Sequence, residues 1–205
     1  MEILVISHTA PFDKARMAGE KTHNYYLKKF AEQPGVHVTI ATVCKDTDVA
    51  NLDFDKYGIK SYVLAEKQDR CHELARKTIR TAKLILTPND KYANFVSEER
   101  IEFYCKTLYK LKKVNYSPSY IILEFTHSIL LIDIIKKIFP KSKIVGSSHD
   151  VNFIGSYRRW QYEQNVIIRY FRWRQYRNLR NREVDALSKC DLIVTQNDND
   201  RAIFR

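Results

Sequence analysis

Short apolar runs alternate along this chain with longer segments in which apolar residues recur every three or four positions. Continuous apolar runs are typical of strands buried on both faces, and the longer period is typical of amphipathic helices. The first unit has an apolar strand at 3–6, a polar loop at 7–18, a helix that ends at Pro34 and Gly35, and a second strand at 36–43. This pattern predicts a β-loop-α-β opening.

The alternation continues to the last residue. Further strands are predicted at 60–65, 120–125, 143–146 and 192–195, and helices at 71–86, 97–113, 128–139, 152–182, 184–187 and 198–205. Such alternation predicts an α/β fold, a Rossmann-like doubly wound parallel sheet with helices on both faces. Because no linker, repeat or low-complexity segment interrupts it, we predict a single domain over residues 1–205.

Ligands of doubly wound sheets bind outside the carboxyl ends of the strands. In this chain the loops that leave those ends hold three of the six histidines, His8, His127 and His149. The sequence therefore predicts a ligand site at this edge of the sheet, built largely from polar loop residues.

Gly19 and Lys21 lie at the predicted start of the first helix. Free backbone N–H groups and the positive end of the helix dipole make such a start suitable for phosphate. The alternative is an ordinary loop-to-helix glycine, and Glu20 next to it counts against an anion site.

Five motifs together resemble the N-terminal domain of GT-B fold glycosyltransferases, in particular the retaining family-4 group. They are MEILVIS at 1–7, AGEKT at 18–22, ILEFTH at 122–127, SHDV at 148–151, and CDLIVTQND at 190–198 with Asp200 and Arg201 after it. The resemblance covers essentially the whole chain. It implies transfer of a sugar from a nucleotide-sugar, with retention at the anomeric carbon, to a glycan or polyprenyl-linked acceptor in cell-surface or exopolysaccharide synthesis.

The resemblance also implies that the two halves of such an enzyme have different roles. This half supplies the acceptor side of the cleft, whereas a C-terminal donor-binding domain, absent from this chain, holds most of the nucleotide. The nucleotide-sugar is then a substrate, and no cofactor is expected. We expect this chain alone to be inactive.

The site residues implied by the resemblance depart partly from the family pattern. The usual Gly-Gly of the first loop is Ala18-Gly19 here, and the histidine that many members carry after the fourth strand is represented by His127, slightly displaced. His127 is the candidate catalytic residue. The candidate substrate-binding residues are Gly19, Lys21, Glu124, His149 and Asp150.

Two of these acidic residues have structural alternatives. Glu124 ends an apolar strand, and a buried carboxylate there could instead form an ion pair with an arginine. Asp150 could simply cap the helix that follows it.

The chain has a formal net charge of +11, and the segment from Gly155 to Arg182 contains eight arginines against one acid, Glu163. At about 100° per residue, Trp160, Ile167 and Phe171 share a face that we expect to pack on the sheet. The opposite face carries the candidate anion-binding residues Arg158, Arg169, Trp173 and Arg180.

Arginines interleaved with aromatics suit lipid headgroups, a polyprenyl phosphate or nucleic acid. A solvated surface, or a contact with the missing half, is the alternative. The second hypothesis is therefore a non-catalytic basic α/β module that binds an anionic membrane surface or nucleic acid. Nucleic acid is disfavoured because the sequence has no helix-turn-helix, RRM, KH or zinc-finger pattern.

The remaining features set the expected location. No apolar run reaches the 18–20 residues that span a bilayer, and the N-terminus lacks the pattern of a signal peptide. The four scattered cysteines have no metal-ligand spacing, so neither a metal nor a disulfide framework is predicted. We expect a cytoplasmic protein, with peripheral attachment to the inner face of the membrane as an option.

Overall fold

The computed structural model describes residues 1–15, 17–67, 78–79 and 90–203. Six strands form one all-parallel sheet in the order β3-β2-β1-β4-β5-β6. The strands are β1 (Glu2–Ser7), β2 (His37–Lys45), β3 (Lys60–Glu66), β4 (Tyr120–Glu124), β5 (Lys143–Ser148) and β6 (Leu192–Thr195).

Seven α-helices accompany these strands in the described ranges. They are α1 (Ala18–Ala31), α2 (Glu98–Lys113), α3 (Phe125–Ile129), α4 (Ile132–Ile138), α5 (Asn152–Gln161), α6 (Val166–Ser188) and α7 (Asp198–Ile203). Two 3-10 helices, Asp46–Asn51 and Phe54–Tyr57, connect β2 to β3. The predicted helix at 71–86 lies largely outside the described residues.

Alternate residues of the central strand β1 supply two separate cores. Leu4 and Ile6 point to one face, which α2, α4 and the end of α6 cover. Ile3 and Val5 point to the other, where they join Leu27 of α1. Burial on both faces explains the continuous apolar runs and confirms the predicted doubly wound fold.

The chain reverses its direction of travel across the sheet at β1. From β1 it runs outward through β2 to β3, and then returns to β4 on the other side of β1. Two neighbouring strands whose connections leave in opposite directions open a crevice at their carboxyl ends, which is where ligands of such sheets bind.

The helix predicted at 128–139 is interrupted and starts earlier than expected. Phe125 adopts a left-handed backbone conformation, with φ of 67°, so β4 ends one residue before the prediction. Helix α3 follows directly, and Leu130 and Leu131 separate it from α4. Apolar periodicity cannot reveal these changes of direction, because Phe125, Leu130 and Leu131 are all apolar.

The long arginine-rich segment is broken into α5 and α6. The break falls at 162–165, where the side chain of Asn165 accepts hydrogen bonds from the backbone N–H groups of Ile167 and Ile168 and so starts α6. It shifts the helical phase, so the expectation that Ile167 packs on the sheet is wrong. Leu179, Ala186 and Leu187 are the buried apolar residues of α6 instead, and the predicted short helix at 184–187 belongs to its last turns.

Gly146 and Gly155 give a matched pair of stability predictions. A Cβ at Gly146 would lie 2.9 Å from the Sγ of Cys190, whereas one at Gly155, in α5, would have no neighbour within 4 Å. We expect Gly146→Ala to lower the free energy of unfolding by about 1–3 kcal/mol through overpacking. Gly155→Ala should raise it by about 0.5–1 kcal/mol, because alanine loses less backbone entropy. Urea denaturation measures both, and equal effects of the same sign would contradict the packing of α6 on β5.

Candidate functional site

A cleft of about 480 Å³ lies along the carboxyl edge of the sheet. Every strand contributes at least one lining residue, either its last residue or the one just after it, and the start of α1 and Arg100 of α2 complete the wall. From β1 to β6 these strand-end residues are His8, Lys45, Glu66, Phe125, His149 and Gln196.

A buried pair, His149 and Glu124, joins the ends of the adjacent strands β5 and β4. The Nε2 atom of His149 lies 2.6 Å from the Oε2 atom of Glu124, and both side chains are buried. On the other side of the ring, the amide nitrogen of Gln196 contacts Nδ1. Because an ionised carboxylate only accepts, Nε2 carries a proton and donates it to Glu124; with the amide NH2 of Gln196 facing it, Nδ1 is then the acceptor.

Glu124 is held as a carboxylate in this environment. Burial alone would raise its pKa, but the hydrogen bond that it accepts from His149 holds the pKa below its usual value. The partner of this buried carboxylate is therefore a histidine, so the alternative of an ion pair with an arginine is wrong.

Phe125 and Gly19 pack against the His149 ring. The Phe125 ring stacks on that of His149 with centroids 4.1 Å apart, and meets His8 edge-on at 4.7 Å. A Cβ at Gly19 would lie 3.1 Å from Cε1 of Phe125 and 3.3 Å from Nδ1 of His149. Glycine thus allows α1 to start in close contact with the two rings, and a larger residue would push them by a few tenths of an ångström.

The start of α1 already carries a negative charge. The carboxylate of Glu20 accepts a hydrogen bond from Oγ1 of Thr9 at 2.8 Å and one from the backbone N–H of Met17 at 3.4 Å. A carboxylate at this end of the helix satisfies the dipole that would otherwise attract a phosphate. Phosphate binding at Gly19 stays a prediction, and Glu20 counts against it.

The charges along the cleft are close to balanced. Arg100 is held in a bidentate ion pair by Glu66, with N–O distances of 2.6 and 2.7 Å. The other charged lining residues are Glu20, Lys45 and Asp150. Three carboxylates against two cations make this a surface for hydroxyl groups rather than for a diphosphate.

Two of the predicted site residues, His127 and Lys21, lie apart from the cleft lining. The His127 ring is stacked between His8 at 4.0 Å and Phe95 at 4.2 Å. Lys21 is exposed and borders a separate, shallower depression beside Asp13. The catalytic role of His127 and the binding role of Lys21 stay predictions.

Glu183 of α6 takes the capping role expected of Asp150. It is fully buried, accepts from Oγ1 of Thr126 at 2.7 Å, and accepts from the backbone N–H groups of Asn152 and Phe153 at 3.3 and 3.1 Å. The prediction of Asp150 as the cap is therefore wrong, and Asp150 is exposed at the cleft instead. Burial raises the pKa of Glu183, although these hydrogen bonds oppose the rise.

Sequence reasoning missed several of these residues. Arg100 lies on a helix and is distant in sequence from every strand end, and Glu183 lies among arginines, so no local pattern marks either one. Gln196 offered a signal, since it follows the last predicted strand directly.

Metal sites and membrane-spanning helices are both absent from the described residues. Within the described ranges, no group of three or more His, Cys, Asp or Glu residues is arranged to hold a metal ion. Among the helices in that part of the chain, none is both long and apolar enough to cross a bilayer.

Comparisons with known proteins give the fold. No protein-family model matches the chain, and no curated protein sequence matches it. Among solved structures, it is similar to the N-terminal domain of Candida albicans trehalose-6-phosphate phosphatase, with a TM-score of 0.51 and 17% sequence identity. The match covers 99% of this chain and 42% of that one. The chain thus shares a parallel α/β fold with that domain and spans less than half the length of the matched structure.

The buried histidines predict acid sensitivity. Burial, with the nearby charge of Arg100, lowers the pKa of His8 to about 3, and burial lowers the pKa of His23 to about 4. The unfolded chain, with histidine near 6.5, then binds more protons than the folded one. The free energy of unfolding should fall as the pH drops below 6.5, by up to about 1.4 kcal/mol per pH unit for each histidine.

Denaturation at a series of pH values tests this contribution. The dependence on pH should be shallower in His8→Gln and in His23→Gln, and His37→Gln, which replaces an exposed histidine at the start of β2, controls for the substitution itself. If the pH dependence of the free energy of unfolding were unchanged in both His8→Gln and His23→Gln, these two histidines would not be the source of acid sensitivity.

Proposed function

We propose that this chain is the acceptor-side half of a GT-B-type glycosyltransferase. It would act on a nucleotide-sugar donor and transfer the sugar, with retention, to a glycan or lipid-linked acceptor in polysaccharide synthesis. The observation that carries the proposal is the cleft itself, to which all six parallel strands contribute residues beside the β1–β4 reversal. The resemblance of the strand-end motifs and the shared α/β fold support it.

The composition of the cleft favours a hydroxyl-rich ligand. Carboxylates accept hydrogen bonds from sugar hydroxyls, and amides and imidazoles can both donate and accept them. The Phe125 ring offers an apolar surface for a pyranose. The diphosphate of a nucleotide-sugar needs more positive charge than Lys45 and the paired Arg100 supply. A second, donor-binding domain fits this need.

His149 is the best-placed residue for orienting a reacting hydroxyl. Its Nδ1 lone pair lies on the side of the ring that faces the start of α1, where Gln196 donates to it. A sugar hydroxyl that took the place of Gln196 would find an acceptor of fixed tautomer, because Glu124 holds the proton on Nε2. Orienting the hydroxyl in this way lowers the barrier to sugar transfer. His127 lies behind His8 and would act through His8.

Sugar transfer by the complete protein tests this proposal. With radiolabelled UDP-glucose, UDP-N-acetylglucosamine and GDP-mannose as donors and a membrane and polysaccharide extract as acceptor, we expect transfer from at least one donor. His149→Asn should lower kcat/KM about 10²–10³-fold, as removal of a hydrogen-bonding group in an active site does. Glu124→Gln keeps an acceptor oxygen for Nε2–H and should lose less activity.

His37→Asn is the matched control, since it replaces an exposed histidine at the opposite end of the strands. Full activity in His149→Asn would contradict the role given to this residue. Absence of transfer and of donor hydrolysis with every donor would contradict the enzyme proposal as a whole.

A further inference from the structure

The loop between α5 and α6, together with the first turn of α6, presents apolar side chains to solvent. The side chains of Val166 and Ile167 are 80% and 69% exposed, and that of Tyr162 is 78% exposed. Ile168 and Tyr170 are exposed beside them. We call these five residues, Tyr162, Val166, Ile167, Ile168 and Tyr170, the hairpin tip. Adjacent exposed apolar side chains of this size mark an interaction surface.

The hairpin tip is held in shape by the residues behind it. Arg172 of α6 forms an ion pair with Glu163 at 2.9 Å and donates to the backbone carbonyl of Arg159 at 3.0 Å. The Trp160 and Tyr176 rings stack between the two helices with centroids 6.0 Å apart. Together with the Asn165 cap, these contacts fix the apolar side chains in place before any partner arrives.

The surroundings of the tip are strongly basic. Three exposed arginines, Arg158, Arg159 and Arg169, lie within about a helical turn of it, and two more, Arg177 and Arg180, are exposed further along α6. Glu163, the one acid from Gly155 to Arg182, is already paired with Arg172. Trp173 lies beneath Arg177, with the guanidinium carbon 5.0 Å from the ring centroid.

We propose that the hairpin tip docks into the interfacial layer of an anionic lipid bilayer. The apolar side chains would enter the boundary between headgroups and acyl chains, and the arginines would contact lipid phosphates. The start of α6, a 23-residue helix, adds its positive dipole end at the same point. Arg158 and Arg169 belong to the anion-binding set expected from the sequence, whereas Ile167 was assigned there to the packed face and is exposed instead.

Other occupants fit these observations less well. Nucleic acid would pair with the arginines but would leave Val166, Ile167 and Ile168 in water. A second copy of this chain would bring two arginine-rich surfaces of the same sign together, which costs free energy. An anionic bilayer satisfies both the charge and the apolar side chains.

Vesicle binding by the 205-residue chain tests the proposal without reference to sugar transfer. The probes are vesicles of pure phosphatidylcholine and vesicles with equal parts of phosphatidylcholine and phosphatidylglycerol. Both tryptophans of the chain, Trp160 and Trp173, lie in the hairpin, so tryptophan fluorescence, excited selectively over that of tyrosine, reports on this element alone. We expect binding to the anionic vesicles only, with quenching by brominated acyl chains.

Matched variants separate the tip from general charge. Ile167→Asp should weaken vesicle binding about tenfold or more, whereas Val114→Asp, at an exposed position after α2, should not. Replacing Arg158, Arg159 and Arg169 with Gln should weaken it about a hundredfold. The same loss of charge at Lys106, Lys110 and Lys113 of α2 should matter by less than about threefold, because salt screens charges distant from the surface.

Three results would overturn the proposal. One is equal weakening by the arginine and lysine triple variants, which would reduce binding to net charge. Another is binding to a poly(U) oligonucleotide with none to anionic vesicles. The third is a protein that does not bind vesicles but sediments as a dimer, with the dimer dissociated by Ile167→Asp.

Discussion

The hydrogen bond between Glu124 and His149 organises the candidate site. It ties the ends of β4 and β5 together, keeps a carboxylate ionised in a buried position, and fixes the tautomer of the imidazole. Phe125 then stacks on the fixed ring, and Gly19 lets α1 start close against both rings. A buried carboxylate without such a partner would destabilise the fold, so the pair belongs to the structure as much as to the chemistry.

The helix hairpin extends this arrangement towards the surface. One end of α6 carries the exposed tip, and further along the helix Glu183 binds Thr126 and the start of α5, close to the residues that leave β4 and β5. Cleft and tip are thus parts of one packed unit with distinct chemistry. The cleft has nearly balanced charge and hydrogen-bonding groups, and the tip combines arginines with apolar side chains.

Elements and topology could be predicted from the sequence because they depend on local periodicity and on the rules of parallel sheets. The grouping of His8 and His149 at one edge follows from the same rules. The cap by Glu183, the break at 162–165 and the left-handed Phe125 could not be predicted, because each depends on contacts between distant segments or on one backbone angle. The break shows the consequence most clearly, since a shift of helical phase moved Ile167 from the expected interior to the surface.

Nitrogen-15 NMR of the histidine side chains tests the central claim, that Glu124 holds His149 ready to accept a hydroxyl. The account predicts a protonated Nε2 and an unprotonated Nδ1 for His149 at neutral pH, with the Nδ1 shift moving when an acceptor sugar is added. In Glu124→Gln this preference should weaken, and His149→Asn assigns the signal. A protonated Nδ1 in the unliganded protein, or a signal that no sugar displaces, would contradict the account.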